Sequence, residues 1–318
     1  MNILAWHVHG SWMTSFVSGP DTYLLPVLPG RGPDGRGRAR TWDWPDNARE
    51  LDPAHLRHTP FDVVVLQRPQ EIELLHRWTG LRAGIDVPAV YVEHNTPSLS
   101  AGTRHPLADR GDVTIVHVTR FNELMWECGA APTTVIEHGI VDPGHLYTGR
   151  SERIAVVVNE PVRRWWVAGT DQVVKLAARL PLEIYGMGMP ALAERLPELS
   201  GHLHEDVPQQ AMHTMLSANR AYFHPYRWTS LGLSLIEAMT IGMPVLAFPA
   251  TAAPESVPAE AGVLSSNPEV LVAAARRWLA DPDEAHERGS AGRRHALQHF
   301  GLQRFLTDWQ HLLKEVAA

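Results

Sequence analysis

The stretch Ser230-Leu-Gly-Leu-Ser-Leu-Ile-Glu237-Ala-Met-Thr-Ile-Gly242-Met-Pro244-Val-Leu-Ala247 reads as a turn, an apolar helix, a glycine stop and a proline-led apolar strand. Gly232 stands just ahead of the helix, so the backbone there can come close to a ligand. The unpaired N–H groups of a first helical turn, with the helix dipole behind them, suit an anion or a polar oxygen. Glu237 falls among Leu233, Leu235, Ile236, Ala238 and Met239, and a carboxylate in such company needs a hydrogen-bond donor. A strand–loop–helix of this make-up points to a nucleotide or sugar held by backbone amides and one acid. An ordinary helix with a solvated glutamate is the plainer reading of the same residues.

Outward from this stretch, short apolar runs alternate with helical patterns, which predicts an α/β protein with parallel sheets. In the first half, strands are expected at 3–7, 61–66, 89–93, 114–118 and 134–137, and helices at 70–78, 98–109 and 120–128. In the second half, strands at 154–158, 182–185, 221–223 and 245–248 alternate with helices at 170–180, 208–218 and 233–241. Residues 281–318 read as largely helical, with Phe300, Leu302, Phe305, Leu306, Trp309 and Leu312 on one stripe. The turn-rich segment Gly139–Gly149 predicts a boundary between a domain over 1–148, to which helix 300–318 returns, and a second over 149–299. Arg31-Gly-Pro-Asp-Gly-Arg-Gly-Arg-Ala-Arg40 is too rich in Gly and Pro for regular structure. It reads as a solvated mobile loop, or as an acceptor-side loop that orders on an anionic substrate.

The 318 residues are 44% hydrophobic and 20% charged, ordinary for a globular enzyme, and the net charge of −7 argues against nucleic acid as a partner. One cysteine, Cys128, excludes an internal disulfide; it is expected on a helix as a packing residue. No basic and apolar leader and no run of about 20 apolar residues is present, so a cytoplasmic protein without a membrane span is expected. Peripheral membrane contact stays open.

Four further segments carry chemistry at expected strand ends, where α/β sheets bind ligands. Trp6-His-Val-His9-Gly10 leads from the first strand into a glycine loop, without the G-x-G-x-x-G of dinucleotide enzymes. Ala89-Val-Tyr-Val-Glu93-His94-Asn95 ends in an acid, an imidazole and an amide, readable also as a helix-capping cluster. Ile154-Ala-Val-Val-Val-Asn159-Glu-Pro-Val-Arg163-Arg164-Trp-Trp-Val-Ala168-Gly169 brings two guanidinium groups to a third strand end, and Leu182-Glu-Ile-Tyr185-Gly186-Met-Gly188 supplies glycines at a fourth.

The 230–247 stretch, together with Thr133-Thr-Val-Ile-Glu-His138-Gly139-Ile-Val-Asp142 and the 154–171 segment, resembles the retaining GT-B glycosyltransferases of the family-four type. Those enzymes have two Rossmann-like domains facing across a cleft. The resemblance implies a metal-independent hexosyltransferase-type enzyme (EC 2.4) that moves a sugar from a UDP-, GDP- or dTDP-sugar to the hydroxyl of a small molecule or envelope precursor, with no cofactor besides the donor. It implies that Glu237 accepts from the donor ribose and that the amides of Ser230, Leu231, Gly232 and Leu233 meet the phosphate or sugar. Arg163 and Arg164 would hold the diphosphate, Gly186 would admit the base, and Gly10 would face the donor phosphates. His94 would sit beside the transferred sugar, with His9 and Asn95 on the acceptor side. Two positions depart from the pattern: Thr229 stands where the family has its first glutamate, and Ala168 where it has a lysine. They leave open a non-catalytic nucleotide-sugar-binding protein or partner subunit, or an epimerase or hydrolase on the same fold.

Overall fold

Ile3, Leu4 and Ala5 have no exposed surface, and an apolar run buried on both faces is what a central parallel strand requires. The computed structural model describes residues 1–98 and 100–318. The chain forms two compact units, Met1–Val141 with Leu302–Ala318, and Asp142–Gly301.

Unit 1 runs β1 (Asn2–Ala5), α1 (Gly10–Phe16), β2 (Thr22–Pro26), β3 (Ala48–Leu51), α2 (Pro53–Leu56), β4 (Val63–Leu66), α3 (Gln70–Thr79), β5 (Ala89–Glu93), β6 (Thr103–Arg104), β7 (Thr114–His117), α4 (Arg120–Met125), β8 (Trp126–Glu127) and β9 (Thr133–Val135). Seven strands form a sheet in the order β3-β2-β1-β4-β5-β7-β9, every pair parallel. The order reverses between β1 and β4, and the crevice outside their carboxyl ends is where such sheets take ligands.

Unit 2 runs β10 (Ser151–Val157), α5 (Thr170–Ala177), β11 (Leu182–Gly186), α6 (Met189–Arg195), β12 (Leu203–Glu205), α7 (Gln209–Ala218), β13 (Asn219–His224), α8 (Leu233–Ile241), β14 (Val245–Ala247), α9 (Ala253–Ser256), β15 (Gly262–Leu264), α10 (Pro268–Ala280) and α11 (Pro282–His299). Its six parallel strands lie in the order β12-β11-β10-β13-β14-β15, with the reversal between β10 and β13. The last helix, α12 (Leu302–Val316), belongs to unit 1.

Several expectations need correction. The helix expected over 98–109 is not formed among the described residues of that span, and Leu99 lies outside the described residues. Gly102 adopts a left-handed φ of 74°, Pro106 follows, and the segment turns around β6, which pairs with β8. Helix α4 stops at Met125, three residues short of its expected end, so Cys128 follows a strand. Strand β9 spans 133–135, one residue earlier at its start and two at its end than expected. The Arg31–Arg40 segment is pinned. Arg31 pairs bidentately with Glu50 at 2.7 and 3.0 Å, and Arg38 donates to the carbonyls of Trp44, Pro45 and Ala48. Its main chain bridges back through Arg36 to Val27.

Helices α8 and α11 meet through glycine. A Cβ on Gly289 would stand 2.9 Å from the carbonyl carbon of Gly242 and closer still to its oxygen, both parts of a rigid backbone. Gly289→Ala is therefore expected to cost about 3 kcal/mol, read as a lowered midpoint in urea denaturation. An unchanged midpoint would show that the helices can separate freely.

Candidate functional site

In unit 1 the sheet ends at the β1–β4 reversal present Trp6–Gly10, Gln67 and His94. Gln67 is buried; its Nε2 donates to the Trp6 carbonyl at 2.7 Å, so its Oε1 faces outward to accept from His94 Nε2 at 3.0 Å. That bond places the His94 proton on Nε2 and leaves Nδ1 as an acceptor. The His94 ring lies 4.2 Å from that of His9 and edge-on to Trp12 at 5.1 Å. Burial, reinforced by His9 and His138, pushes the His94 imidazole well below its ordinary range. It is a neutral hydrogen-bonding group at physiological pH and not a proton donor.

His138 is buried too, and burial together with His9 and Arg304 brings its imidazole down to about 3. It is held from α12: Arg304 donates to the carbonyls of Glu137 (3.0 Å) and His138 (2.5 Å). His9 caps α1, its carbonyl accepting from Met13 N at 2.8 Å. Gly10 does not present open space. The Trp42 indole lies over it, with Cζ3 2.6 Å from where a Cβ would stand. Asn95 is exposed, and its place is set by its backbone: its N–H donates to Glu93 Oε1 at 2.7 Å and its carbonyl accepts from Trp126 Nε1 at 2.8 Å.

Glu93 organises this end of β5. Its second oxygen receives His105 Nε2 at 3.2 Å, and His105 Nδ1 in turn accepts from Leu107 N. Glu93→Ala strands the buried His105 donor and the Asn95 N–H and is expected to cost about 3 kcal/mol, measured by urea denaturation, whereas Glu93→Gln should lose less than half of that.

In unit 2 the β10–β13 reversal brings together the 158–169 and 225–233 loops. Gly169 takes a φ of 72° at the start of α5, and a Cβ there would stand 2.8 Å from the Pro225 carbonyl carbon, so the two loops touch only because this residue is glycine. The second loop is further tied to the first by Arg227, which pairs with Asp171 and donates to the Trp166 carbonyl. Ala168 is fully buried within the unit's core, so the position where a lysine was looked for is apolar. Arg163 is exposed, 3.5 Å from Glu160, and Arg164 lies over the Tyr226 ring at 5.6 Å.

Gly232 has an ordinary φ of −72°; what it supplies is room. A Cβ there would meet the buried His224 ring, 3.2 Å from Nε2 and nearer to Cε1. His224 is held in turn by Tyr222, whose hydroxyl is 3.3 Å from Nδ1 and donates to Ser234 Oγ at 2.9 Å. Ser230 and Leu231 are buried, and Thr229, Gly232 and Leu233 are partly exposed at the start of α8.

Glu237 sits one turn further in, only 4% exposed, accepting from Gln209 Nε2 at 2.8 Å with His213 Nε2 at 3.7 Å from its other oxygen. Both partners come from α7. Gly186 adopts a φ of 139° and is required by close backbone packing, a Cβ there falling 2.8 Å from the Val158 carbonyl carbon.

The structure thus brings His9, His94 and His138 together in unit 1, and the 229–233 loop and the 163–164 arginines to one sheet end of unit 2, with Glu237 one turn into α8. Gln67, Trp42, Gln209 and His224 were missed in the sequence. His224 alone had a local signal, as a polar residue closing an apolar strand. Among the described residues no group of three His, Cys, Asp or Glu side chains could hold a metal ion, and no helix is long and apolar enough to cross a membrane.

A comparison of the sequence with curated proteins finds no match. Residues 194–295 match the family model for Glycosyl transferases group 1. Among solved structures, the fold is similar to sucrose-phosphate synthase from Thermosynechococcus elongatus, with a TM-score of 0.69 at 14% identity over 99% of each chain. HepE of Anabaena in complex with UDP gives 0.67 at 14% identity over 99% of this chain and 100% of that one. A glycosyltransferase from Rickettsia africae gives 0.66 at 14% over 99% and 98%. The chain has the GT-B fold, and the residues that match the group 1 glycosyl transferase model, 194–295, lie within its second unit.

Proposed function

We propose that this protein is a retaining glycosyltransferase of the family-four type, which moves a sugar from a nucleoside-diphosphate donor to an acceptor hydroxyl without a metal ion. The observation that carries the reading is the 229–233 loop. It lies at the topological reversal of unit 2, opens a helix of nine residues, and is followed one turn later by a buried carboxylate. The group 1 match and the UDP bound to HepE support it.

In this reading the amides of Leu231, Gly232 and Leu233 and the α8 dipole receive the β-phosphate, with Arg164 and Arg163 adding charge where the buried Ala168 cannot. Glu237 accepts from the ribose once the Gln209 amide gives way, and His94 offers its Nδ1 to a sugar hydroxyl. The sugar C1–phosphate oxygen bond breaks, the acceptor oxygen bonds C1 on the same face, and the acceptor's proton passes to the departing phosphate. Charge stabilisation on preorganised donors supplies the main catalytic effect. Thr229 gives the donor sugar a hydroxyl contact in place of a carboxylate, which fits a donor sugar with a different hydroxyl pattern from a common hexose.

Thermal shift with UDP, GDP, dTDP and their sugars tests the binding half, since a ligand of the native state raises the midpoint. Transfer is then read as donor consumption that depends on acceptor. Glu237→Gln should weaken the preferred nucleotide by roughly 10- to 150-fold, the loss of about 1.5–3 kcal/mol for a charged hydrogen bond. If no nucleotide shifts the midpoint, or this substitution leaves affinity unchanged, the reading fails. The apolar burial of Ala168 favours one alternative, a nucleotide-sugar sensor or partner subunit; nucleotide binding with no donor turnover across acceptors would identify it.

A further inference from the structure

At the β1–β4 reversal of unit 1 runs a chain of hydrogen bonds whose direction is fixed at each link. The buried Gln67 follows β4, and its amide has one donor end and one acceptor end. The Trp6 carbonyl can only accept, so the amide end 2.7 Å from it is the NH2 group. The Met13 sulfur, a weak acceptor 3.4 Å from the same nitrogen, agrees with that orientation. Oε1 is thereby turned to His94. An amide oxygen can only accept, so His94 Nε2, at 3.0 Å, carries a proton.

The other ring nitrogen follows from charge. His94 is buried, with the His9 ring at 4.2 Å and Trp12 edge-on at 5.1 Å, and no carboxylate hydrogen-bonds to it among the described residues. Glu93, the residue before it, takes His105 and the Asn95 N–H, and Glu71 of α3 takes Arg68 and the Gln67 N–H. A second proton would sit in a buried place with no anion to receive it, so the ring is neutral and Nδ1 bears a lone pair. That atom has no hydrogen-bond partner among the described residues, yet it is not sealed off as the orphaned Nδ1 of His138 is.

We propose that Gln67 is a positioning residue: acting through His94, it makes this sugar subsite acceptor-only, so that the transferred sugar must present a hydroxyl hydrogen to Nδ1. The proposal rests on the transferase reading. A fluorine, or an ether or carboxylate oxygen, at that point of the sugar meets a lone pair and leaves Nδ1 unpaired. The subsite therefore separates a free hydroxyl from an alkylated or oxidised one, through a side chain whose own polar atoms are engaged with protein.

Two readouts on the full chain test this. In long-range proton–nitrogen correlation spectra of histidine-labelled free protein, His94 is assigned by its loss in His94→Leu. It should be the neutral Nε2–H form, and Gln67→Met should release it to a mixture of tautomers. In calorimetry, the UDP-, GDP- or dTDP-hexose that raises the thermal midpoint most is compared with analogues carrying fluorine in place of one hydroxyl at a time. One analogue should bind at least about tenfold more weakly than the parent, and His94→Leu should remove most of that penalty. An Nδ1–H or doubly protonated His94, a tautomer unchanged in Gln67→Met, analogues that all bind alike, or a penalty that persists in His94→Leu would overturn the proposal. Should Gln67→Met fail to fold, the wild-type tautomer and the fluorine series still decide it. If no hexose nucleotide raises the midpoint, the transferase reading falls and takes this proposal with it. Nucleotide binding beside the wrong tautomer or a flat fluorine series defeats this proposal alone.

Discussion

Alanine at position 232 is expected to lower donor turnover by roughly 10²-fold, the scale of an ångström-sized misplacement of binding groups. The added methyl meets the His224 ring, which is enclosed by Tyr222 and Tyr226 and cannot swing aside. The 230–233 amides must move instead. Overpacking of this kind costs about 1–3 kcal/mol of stability, so the variant should fold and fail at the loop. Coupling to His224→Ala separates the two causes. In the double variant the ring is gone, and nucleotide affinity should return most of the way to wild type. If the single variant binds nucleotide normally, those amides do not form the donor site.

The second large effect is expected at Trp309. Its ring is 2% exposed and packs against Phe16 at 5.1 Å, Trp12 at 5.6 Å and Phe305 at 6.2 Å. Trp309→Ala should cost about 3–5 kcal/mol. The loss falls on unit 1, so urea unfolding should split into two transitions, with the lower belonging to that unit. A single unshifted transition would show that α12 contributes little to unit 1.

These expectations divide according to how local their causes are. Helix α8 was legible because its stop at Gly242, its apolar run and the Pro244 start of β14 are adjacent in sequence. Strands β1, β4, β10 and β13 were legible for the same reason, being unbroken apolar runs. Strands β2 and β3 were not: β2 is closed by Pro26, and β3 is an edge strand whose Arg49 and Glu50 are exposed. The helix expected at 98–109 failed because β6 finds its partner in β8, more than twenty residues on.

At the site the same rule holds. His94 and Glu237 sit in readable strand-end and helix contexts. Gln67, Gln209 and Trp42 act through contacts across 27, 28 and 32 positions, which no local pattern encodes. The terminal stripe was nearly right, but its buried centre is Phe305, Trp309 and Leu313, with Leu302 and Leu306 at its margin. The Arg31–Arg40 segment shows the limit of composition: its glycines and prolines do prevent regular structure, yet Glu50 and four backbone carbonyls fix it nonetheless.

Because α12 is made after Asp142–Gly301 yet packs into unit 1, the growing chain on the ribosome cannot finish unit 1 when residues 1–141 emerge. Asp142–Gly301 is continuous and leaves the exit tunnel whole, free to fold during translation, while Trp12 and Phe16 wait for Phe305 and Trp309 to be synthesised. A nascent chain arrested before residue 302 should therefore expose aromatic surface that chaperones bind, and premature termination in α12 should be sensed as misfolding of residues translated first.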